Sequence, residues 1–235
     1  PADAEDIAQV AIGLNHVVAL KSDGTVIAWG DNTSGQATVP SGISDAVAVA
    51  AGGSTSFALR ANGTITAWGA PHREPPSNLG DVVAVSAGEL HALALRRDGS
   101  VVGWGDASSD ARLVPGVLPP VVAIAAAGRH SLALTYDGSV IAWGQTQAEH
   151  SLVPPWLGFS TAISGGIEHS AALGGSGGAV LTVQPWSRTV SEGSTARFTT
   201  LAVAPEGASY RWQLRTPEGP GWLDVTNGGR YAGAR

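Results

Sequence analysis

Histidine, the side chain that titrates nearest neutral pH and a common metal ligand, recurs in this chain at fixed intervals. His16, His91, His130 and His169 share one register, and Thr55 fills the remaining position, giving spacings of 39, 36, 39 and 39 residues. A convergent ring of imidazoles backed by carboxylates would suit a metal ion. Each of these histidines instead stands just ahead of an Ala-Leu pair in the same strand-like setting, and threonine replaces one of them. Each is therefore expected to hydrogen-bond the backbone of its own repeat. His72 and His150 lie in polar segments and read as solvated. The carboxylates worth weighing are Asp31, Asp106, Glu89, Glu149 and Glu168. Glu149-His150 and Glu168-His169 are sequence neighbours, and adjacent residues of a strand point to opposite faces, so neither pair makes an acid–base couple alone. The sequence contains no nucleophile elbow, phosphate-binding loop or zinc spacing, and without cysteine it has no thiol nucleophile. The expectation is a non-enzymatic chain with no cofactor and no metal.

The elements that carry these histidines form a repeat. Residues 13–30, 52–69, 88–105 and 127–144 each run from a Gly or Ala through His or Thr, Ala-Leu and an Asp-Gly or Asn-Gly pair to Trp-Gly. A fifth copy, residues 166–173, begins and breaks off. Trp29, Trp68, Trp104 and Trp143 repeat at 39, 36 and 39 residues. A period near 40 with several short strands per copy indicates β-propeller blades, which bury their faces only by stacking on neighbours. Period-two patterning places Val47, Val49 and Ala51 on one side of a strand, and Val82, Ala84 and Ser86 on one side of the next repeat's strand. Asp23-Gly24, Asn62-Gly63, Asp98-Gly99 and Asp137-Gly138 predict hairpins with type I′ turns. The four tryptophans read as wedges between blades.

Composition agrees with a β architecture. In 235 residues there are 32 glycines, about twice the usual share, and only 14% charged residues. The net charge of -6 is scattered, and no basic cluster exceeds Arg96-Arg97, so nucleic acid is not an expected partner. No apolar run approaches the roughly 20 residues of a membrane span, and no signal peptide opens the chain. Because the chain starts at Pro1 and lacks methionine throughout, it reads as a processed or trimmed product.

On these motifs the chain resembles the regulator-of-chromosome-condensation repeat, above all the compact bacterial propellers of the β-lactamase inhibitory type. The segment VIAWGDNTSGQATVPSGISDAVAVAAGG, residues 26–53, carries the resemblance most clearly, and the likeness extends over residues 7–173. It implies seven blades, whereas four and a half repeats are written here. An open arc would expose edge strands, which natural proteins avoid. The expectation is a fragment of a seven-bladed ring with further blades before Pro1; the alternatives are a small four-bladed ring closed by the half-repeat, or closure by another chain.

After Leu173 the pattern changes. Residues 174–179 are a Gly-rich junction, read either as a linker or as a loosened hairpin turn. Residues 180–235 have short strand-like runs punctuated by Gly and Pro. Pro185, Val190, Glu192-Gly193, Phe198, Tyr210 and Trp212 occur in an order that resembles the start of a bacterial immunoglobulin-like domain, with Trp212 as its core tryptophan. A full sandwich needs roughly 100 residues, so a partial β-sandwich follows the propeller residues 1–173.

The repeats differ just before the histidine register, at Leu14-Asn15, Gly53-Ser54, Glu89-Leu90, Gly128-Arg129 and Ile167-Glu168. Varied loops on a repeated scaffold are a natural contact surface, and equally they are unconstrained surface turns. In the inhibitory propellers this loop carries aromatic residues; here Leu14, Leu90 and Ile167 supply the apolar contacts. The candidate binding face is Leu14, Asn15, Ser54, Glu89, Leu90, Arg129, Ile167 and Glu168. The expected role is a protein-interaction module of a secreted or cell-surface bacterial protein, binding a protein or glycan. The alternatives are self-assembly with copies of itself into a fibre or surface layer, and an accessory domain of a larger enzyme.

Overall fold

The structure, a computed structural model, describes residues 4–71, 73–144, 153–155 and 157–175, and beyond them the backbone of four short strands. Each full repeat forms one antiparallel three-stranded sheet in chain order. The first is β1 (Ile7–Ile12), β2 (His16–Lys21) and β3 (Val26–Gly30), and the second is β4 (Ala46–Gly52), β5 (Thr55–Arg60) and β6 (Ile65–Gly69). The third is β7 (Val82–Ala87), β8 (His91–Arg96) and β9 (Val101–Gly105), and the fourth is β10 (Val121–Ala126), β11 (His130–Thr135) and β12 (Val140–Gly144). A fifth sheet has two strands, β13 (Ser160–Gly165) and β14 (Ser170–Gly174). A 3-10 turn, Asp110–Arg112, is the only helical element among the described residues. The all-β expectation holds: these are propeller blades, each laid against the next. β4 lies on β1 and β2, β7 on β4 and β5, β10 on β7 and β8, and β13 on β10 and β11.

Alternation along the middle strand explains the stacking. Side chains of a strand alternate between its faces, so His16, Val18 and Leu20 face the second blade while Val17 and Ala19 face the other way. The same rule sends Phe57 and Leu59, then Leu93 and Leu95, then Leu132 and Leu134 toward the following blade. Small residues, Ala58, Ala92, Ala94 and Ala133, look back. The hydrophobic core is thus divided into seams where large meets small. Val18 and Leu20 pack on Val49, Ala51 and Ala58; Phe57 and Leu59 pack on Val82, Ala92, Ala94 and Trp104; Leu93 and Leu95 pack on Val121, Ala133 and Trp143. Burying each such Leu or Phe contributes about 1.5–3 kcal/mol.

Two sequence expectations need correction. In every first strand a bulge breaks the period-two pattern, for example between Ala46 and Ala48 and between Val82 and Ala84. A bulge sets two residues opposite one. Val47 therefore packs toward the third blade while Val49 and Ala51 pack toward the first. Likewise Val82 faces back while Ala84 packs in the forward seam. The hairpins are present at all four sites, but their turns are not type I′. Only the glycine has positive φ (84° at Gly24, 82° at Gly63), whereas type I′ would require it at Asp23 and Asn62 as well. Gly24 N–H donates to the Lys21 carbonyl at 3.0 Å and Lys21 N–H to Thr25 at 2.9 Å, the three-residue loop with a G1 bulge. Thr25 favours it, since its N–H and hydroxyl both donate to Asp23 Oδ1, at 2.9 and 2.6 Å. The turn also ties blades together: Gly24, Gly63, Gly99 and Gly138 carbonyls accept from the N–H of Ala46, Val82, Val121 and Ser160.

In the C-terminal third, β15 (Val180–Val183) pairs antiparallel with β16 (Leu201–Val203), and β17 (Gln213–Arg215) with β18 (Trp222–Asp224). The residues that suggest an immunoglobulin-like domain, Pro185, Val190, Glu192, Gly193, Phe198, Tyr210 and Trp212, lie outside the described residues, as do His72, Glu149 and His150.

Candidate functional site

At one end of the blades, the turns between first and middle strands hold the candidate residues, and the histidines close these turns from below. Gly13 N–H donates to the His16 carbonyl at 2.9 Å, and Gly88 and Gly166 do the same to His91 and His169. A Cβ on Gly13 would sit 2.1 Å from the imidazole Cε1, so glycine is required for the ring to fold over the turn.

The rings of His16 and His91 do not bond their own blade as the sequence suggested, and with His130 they share another arrangement. Pointing forward along the strand alternation, they meet the next blade's serine: His16 Nε2 to Ser56 Oγ at 2.9 Å, His91 to Ser131 at 2.8 Å, and His130 to Ser170 at 2.8 Å. The serine hydroxyl donates its proton onward, Ser56 to the Gln36 carbonyl at 2.8 Å and Ser131 to the Ala111 carbonyl at 2.9 Å. Its one proton being spent, Ser56 or Ser131 can only accept from histidine, which fixes the neutral Nε2–H tautomer. The same carbonyls accept the indole N–H of Trp68 and Trp143, each at 2.9 Å. A relay of histidine, serine, linker carbonyl and tryptophan thus bolts one blade to the next. Burial pushes the His16 imidazole below its ordinary value. Burial, with His130 and Arg73 nearby, pushes His91 down to about 4.

The second seam is built differently. Thr55 stands in place of histidine, and in the next blade Ala92 stands in place of serine. Arg73, from the linker between these blades, reaches in: its guanidinium donates to the Glu89 carbonyl and lies against Gly53, where a Cβ would be 3.0 Å from Nη1. Its own carbonyl accepts from Trp104 Nε1 at 2.9 Å, and Trp104 meets Phe57 edge-on with ring centroids 5.9 Å apart. Arg73 escaped sequence reasoning because it sits in a linker outside the repeat. The serines also escaped sequence reasoning, although one signal marks them: the residue after the histidine register reads Val17, Ser56, Ala92, Ser131 and Ser170, with serine only where the preceding blade has histidine.

Above this frame lie the variable turns. Backbone bonds link them across blades, Leu14 N–H to Gly53 at 2.9 Å and Gly128 N–H to Gly166 at 3.1 Å. Further bonds tie them to their own linkers, Asp31 N–H to Asn15 and Asp106 N–H to Leu90, both at 2.8 Å. Leu14 and Ile167 are 57% and 62% exposed. Asn15, Arg129 and Glu168 are also exposed, while Ser54, Glu89 and Leu90 are half-buried. Glu89 and Arg129 are brought together, Oε2 to Nε 3.8 Å apart. Asp31 and Asp106 are linker-turn caps; backbone and hydroxyl donors on Thr33 and Ser108 hold both carboxyls below the usual range. Of the tryptophans, Trp104 and Trp143 are buried, and Trp29 and Trp68 half-buried. Among the described residues no three His, Asp or Glu side chains converge as a metal site.

Residues 7–36, 82–110 and 121–147 match the family model of the regulator of chromosome condensation (RCC1) repeat. No curated protein matches the sequence. Among solved structures, Prp20p from Saccharomyces cerevisiae is similar at 18% identity and TM-score 0.62, over 71% of this chain and 55% of that one. The ectodomain of the Physcomitrella patens receptor kinase CR4 is similar at 21% identity and TM-score 0.64, over 73% of this chain and 50% of that one. Human WBSCR16 is similar at 21% identity and TM-score 0.61, over 74% of this chain and 59% of that one. The match therefore spans 50–59% of these three chains. The blades, their relay seams and these likenesses agree that the chain carries an RCC1-like β-propeller.

Proposed function

We propose that this chain is a non-enzymatic protein-interaction module, and that it contacts its partner through the turn face formed by Leu14, Asn15, Ser54, Glu89, Leu90, Arg129, Ile167 and Glu168. The observation carrying this reading is that five turns of differing chemistry are held at one end of a frame whose inter-blade bonds lie beneath them. A rigid scaffold with varied tips suits recognition. Prp20p, of the same fold, was described together with its binding properties to Gsp1p and histones, and a propeller used for binding is the role carried over here.

The partner is a protein or a glycan, and the setting is a secreted or cell-surface bacterial protein, following the resemblance of residues 26–53. The face has no aromatic side chain, so β-lactamase inhibition through aromatic anchors is not carried over; Arg129 and the exposed Leu14 and Ile167 are the anchors proposed instead. The test probes protein and glycan arrays with the chain and with a Leu14→Ser, Arg129→Ala, Ile167→Ser variant. Specific capture by the parent that the variant loses supports the reading; equal capture overturns it. A second reading, self-assembly, is favoured by the exposed Val10 and Ile12 on the first blade. Light scattering decides it, because a monomer at high concentration removes that reading.

A further inference from the structure

The chain writes Asn-Gly twice. Asn62-Gly63 is the turn of the second blade's hairpin, and Asn227-Gly228 lies outside the described residues. Such a pair carries its own reaction. The backbone nitrogen of the glycine attacks the side-chain amide of the asparagine, and glycine hinders that attack least because it has no Cβ. At Asn62 the Gly63 N–H would give up its proton, a bond would form between Gly63 N and Asn62 Cγ, and the Cγ–Nδ2 bond would break with release of ammonia. Water then opens the five-membered imide. Opening at Cγ leaves aspartate; opening at the Asn62 carbonyl carbon leaves isoaspartate, with one more atom in the main chain.

In the closed hairpin both reacting groups are engaged. Asn62 is exposed, but its Oδ1 accepts from Thr64 N–H at 3.0 Å and from Thr64 Oγ1 at 2.7 Å. Gly63 is buried; its N–H donates to the Arg60 carbonyl at 2.9 Å, and its carbonyl accepts from Val82 N–H of the third blade at 3.1 Å. Attack must break the Arg60 bond and draw the carboxamide from Thr64, in a turn that the third blade holds by its Gly63 carbonyl. The other turns show which product the fold accepts. Asp23 and Asp98 stand where Asn62 does, and their Oδ1 atoms accept from Thr25 and Ser100 in the same way. An isoaspartate would instead lengthen the turn that the Arg60–Gly63 bond closes.

We infer that Asn62 is a self-modification site, converted by intramolecular deamidation when its hairpin opens from the third blade, and that the isoaspartyl product keeps the second seam from closing again. Aspartate at the same position leaves the seam intact.

The test uses the full chain with Asn227→Asp, so that Asn62-Gly63 is its only Asn-Gly pair. It is incubated at mildly alkaline pH, and tryptic peptide 61–73, whose one asparagine is Asn62, is followed by mass spectrometry with chromatographic separation of the two products. The same chain unfolded in urea gives the unprotected rate. Where opening is fast, the rate tracks the population of the open form. Four hydrogen bonds hold the pair; at about two- to tenfold each, the native chain should deamidate at least about tenfold more slowly than the unfolded one. Thr64→Val, a surface change that removes only the hydroxyl, should speed the native reaction about two- to tenfold. Leu59→Ala, which loosens the second seam, should speed it further, whereas Leu134→Ala, between the fourth and fifth blades, should not. Chains that have accumulated isoaspartate should have a lowered Tm, and Asn62→Asp should keep the parent's. A native rate equal to the urea rate, a Thr64→Val rate equal to the parent's, equal acceleration by the two leucine variants, or an isoaspartyl chain with the parent's Tm overturns the inference.

Discussion

Acid should loosen the seams before it touches the carboxylates. His91 is buried, neutral, and committed through Nε2–H to Ser131. Its pKa is pushed from 6.5 down to about 4, mainly by burial. A base whose folded pKa is depressed leaves the folded state fully stable above the unfolded value and erodes it as pH falls toward the folded one. The window is therefore pH 6.5 to about 4. At about 1.4 kcal/mol per pH unit, moving from pH 7 to pH 5 costs about 2 kcal/mol from His91 alone. His16, shifted in the same direction by burial, adds to the loss. Set against a typical stability of about 5–15 kcal/mol, this is measurable. Asp23, Asp31, Asp98, Asp106 and Asp137 all have carboxyls held below 3.8 by hydrogen bonds. Their contribution is intact above 3.8 and lost below it, outside the histidine window. Urea unfolding at pH 7 and pH 5, followed by the fluorescence of buried Trp104 and Trp143, reads the difference. His91→Gln keeps an N–H for Ser131 and cannot take up a proton, so its loss between the two pH values should be smaller by about 2 kcal/mol. An identical loss in parent and variant would refute the assignment of His91 as a neutral seam donor.

Other seam and turn positions give simpler expectations. Ser131→Ala strands the His91 N–H and frees the Ala111 carbonyl of one donor, and chemical denaturation should show a cost of about 1–3 kcal/mol. Leu93→Ala opens a cavity in the third seam and should cost about 2–5 kcal/mol in the same assay. Gly138→Ala should lower Tm, since the residue sits at φ 81° with Phe159 2.5 Å from a new Cβ, whereas Gly116→Ala, with nothing within 4 Å, should leave it unchanged.

The blades were legible because their signals are local. Asp-Gly or Asn-Gly before Thr or Ser fixes a turn within four residues, and Trp-Gly ends a strand whatever lies beyond it. The first-strand bulges were not legible, because a bulge consumes one residue of an unbroken apolar run, and Val82-Val83 looks the same whether the alternation holds or slips. The turn type was misassigned for a related reason: Asp23-Gly24 fits both a two-residue and a three-residue loop, and Thr25, which bonds Asp23, selects the longer. The histidine partners were hidden by distance, since Ser56 is 40 residues from His16 and only the strand's alternation brings them face to face. Arg73 obeys no repeat, and only the joint absence of histidine at 55 and serine at 92 hints that something else must fill that seam.

That compensation bears on how recognition evolves on such a frame. Where the relay is intact, a seam is held by side chains pointing sideways between blades, so the turn above it carries no structural duty beyond its glycine and its backbone bonds. Leu14, Arg129 and Ile167 are free to differ for that reason. In the second seam the duty has moved upward: Arg73 reaches the Glu89 carbonyl, and Glu89 also faces Arg129. Ser54, Glu89 and Leu90 accordingly lie half-buried, while the turns of the first and fifth blades stand exposed. Arg73→Ala, which removes the guanidinium from the Glu89 carbonyl, should therefore lower Tm, whereas substitutions at Leu14 or Ile167 should disturb binding alone. The face divides into a fixed centre and two adaptable flanks, and the division follows from which seams carry a histidine.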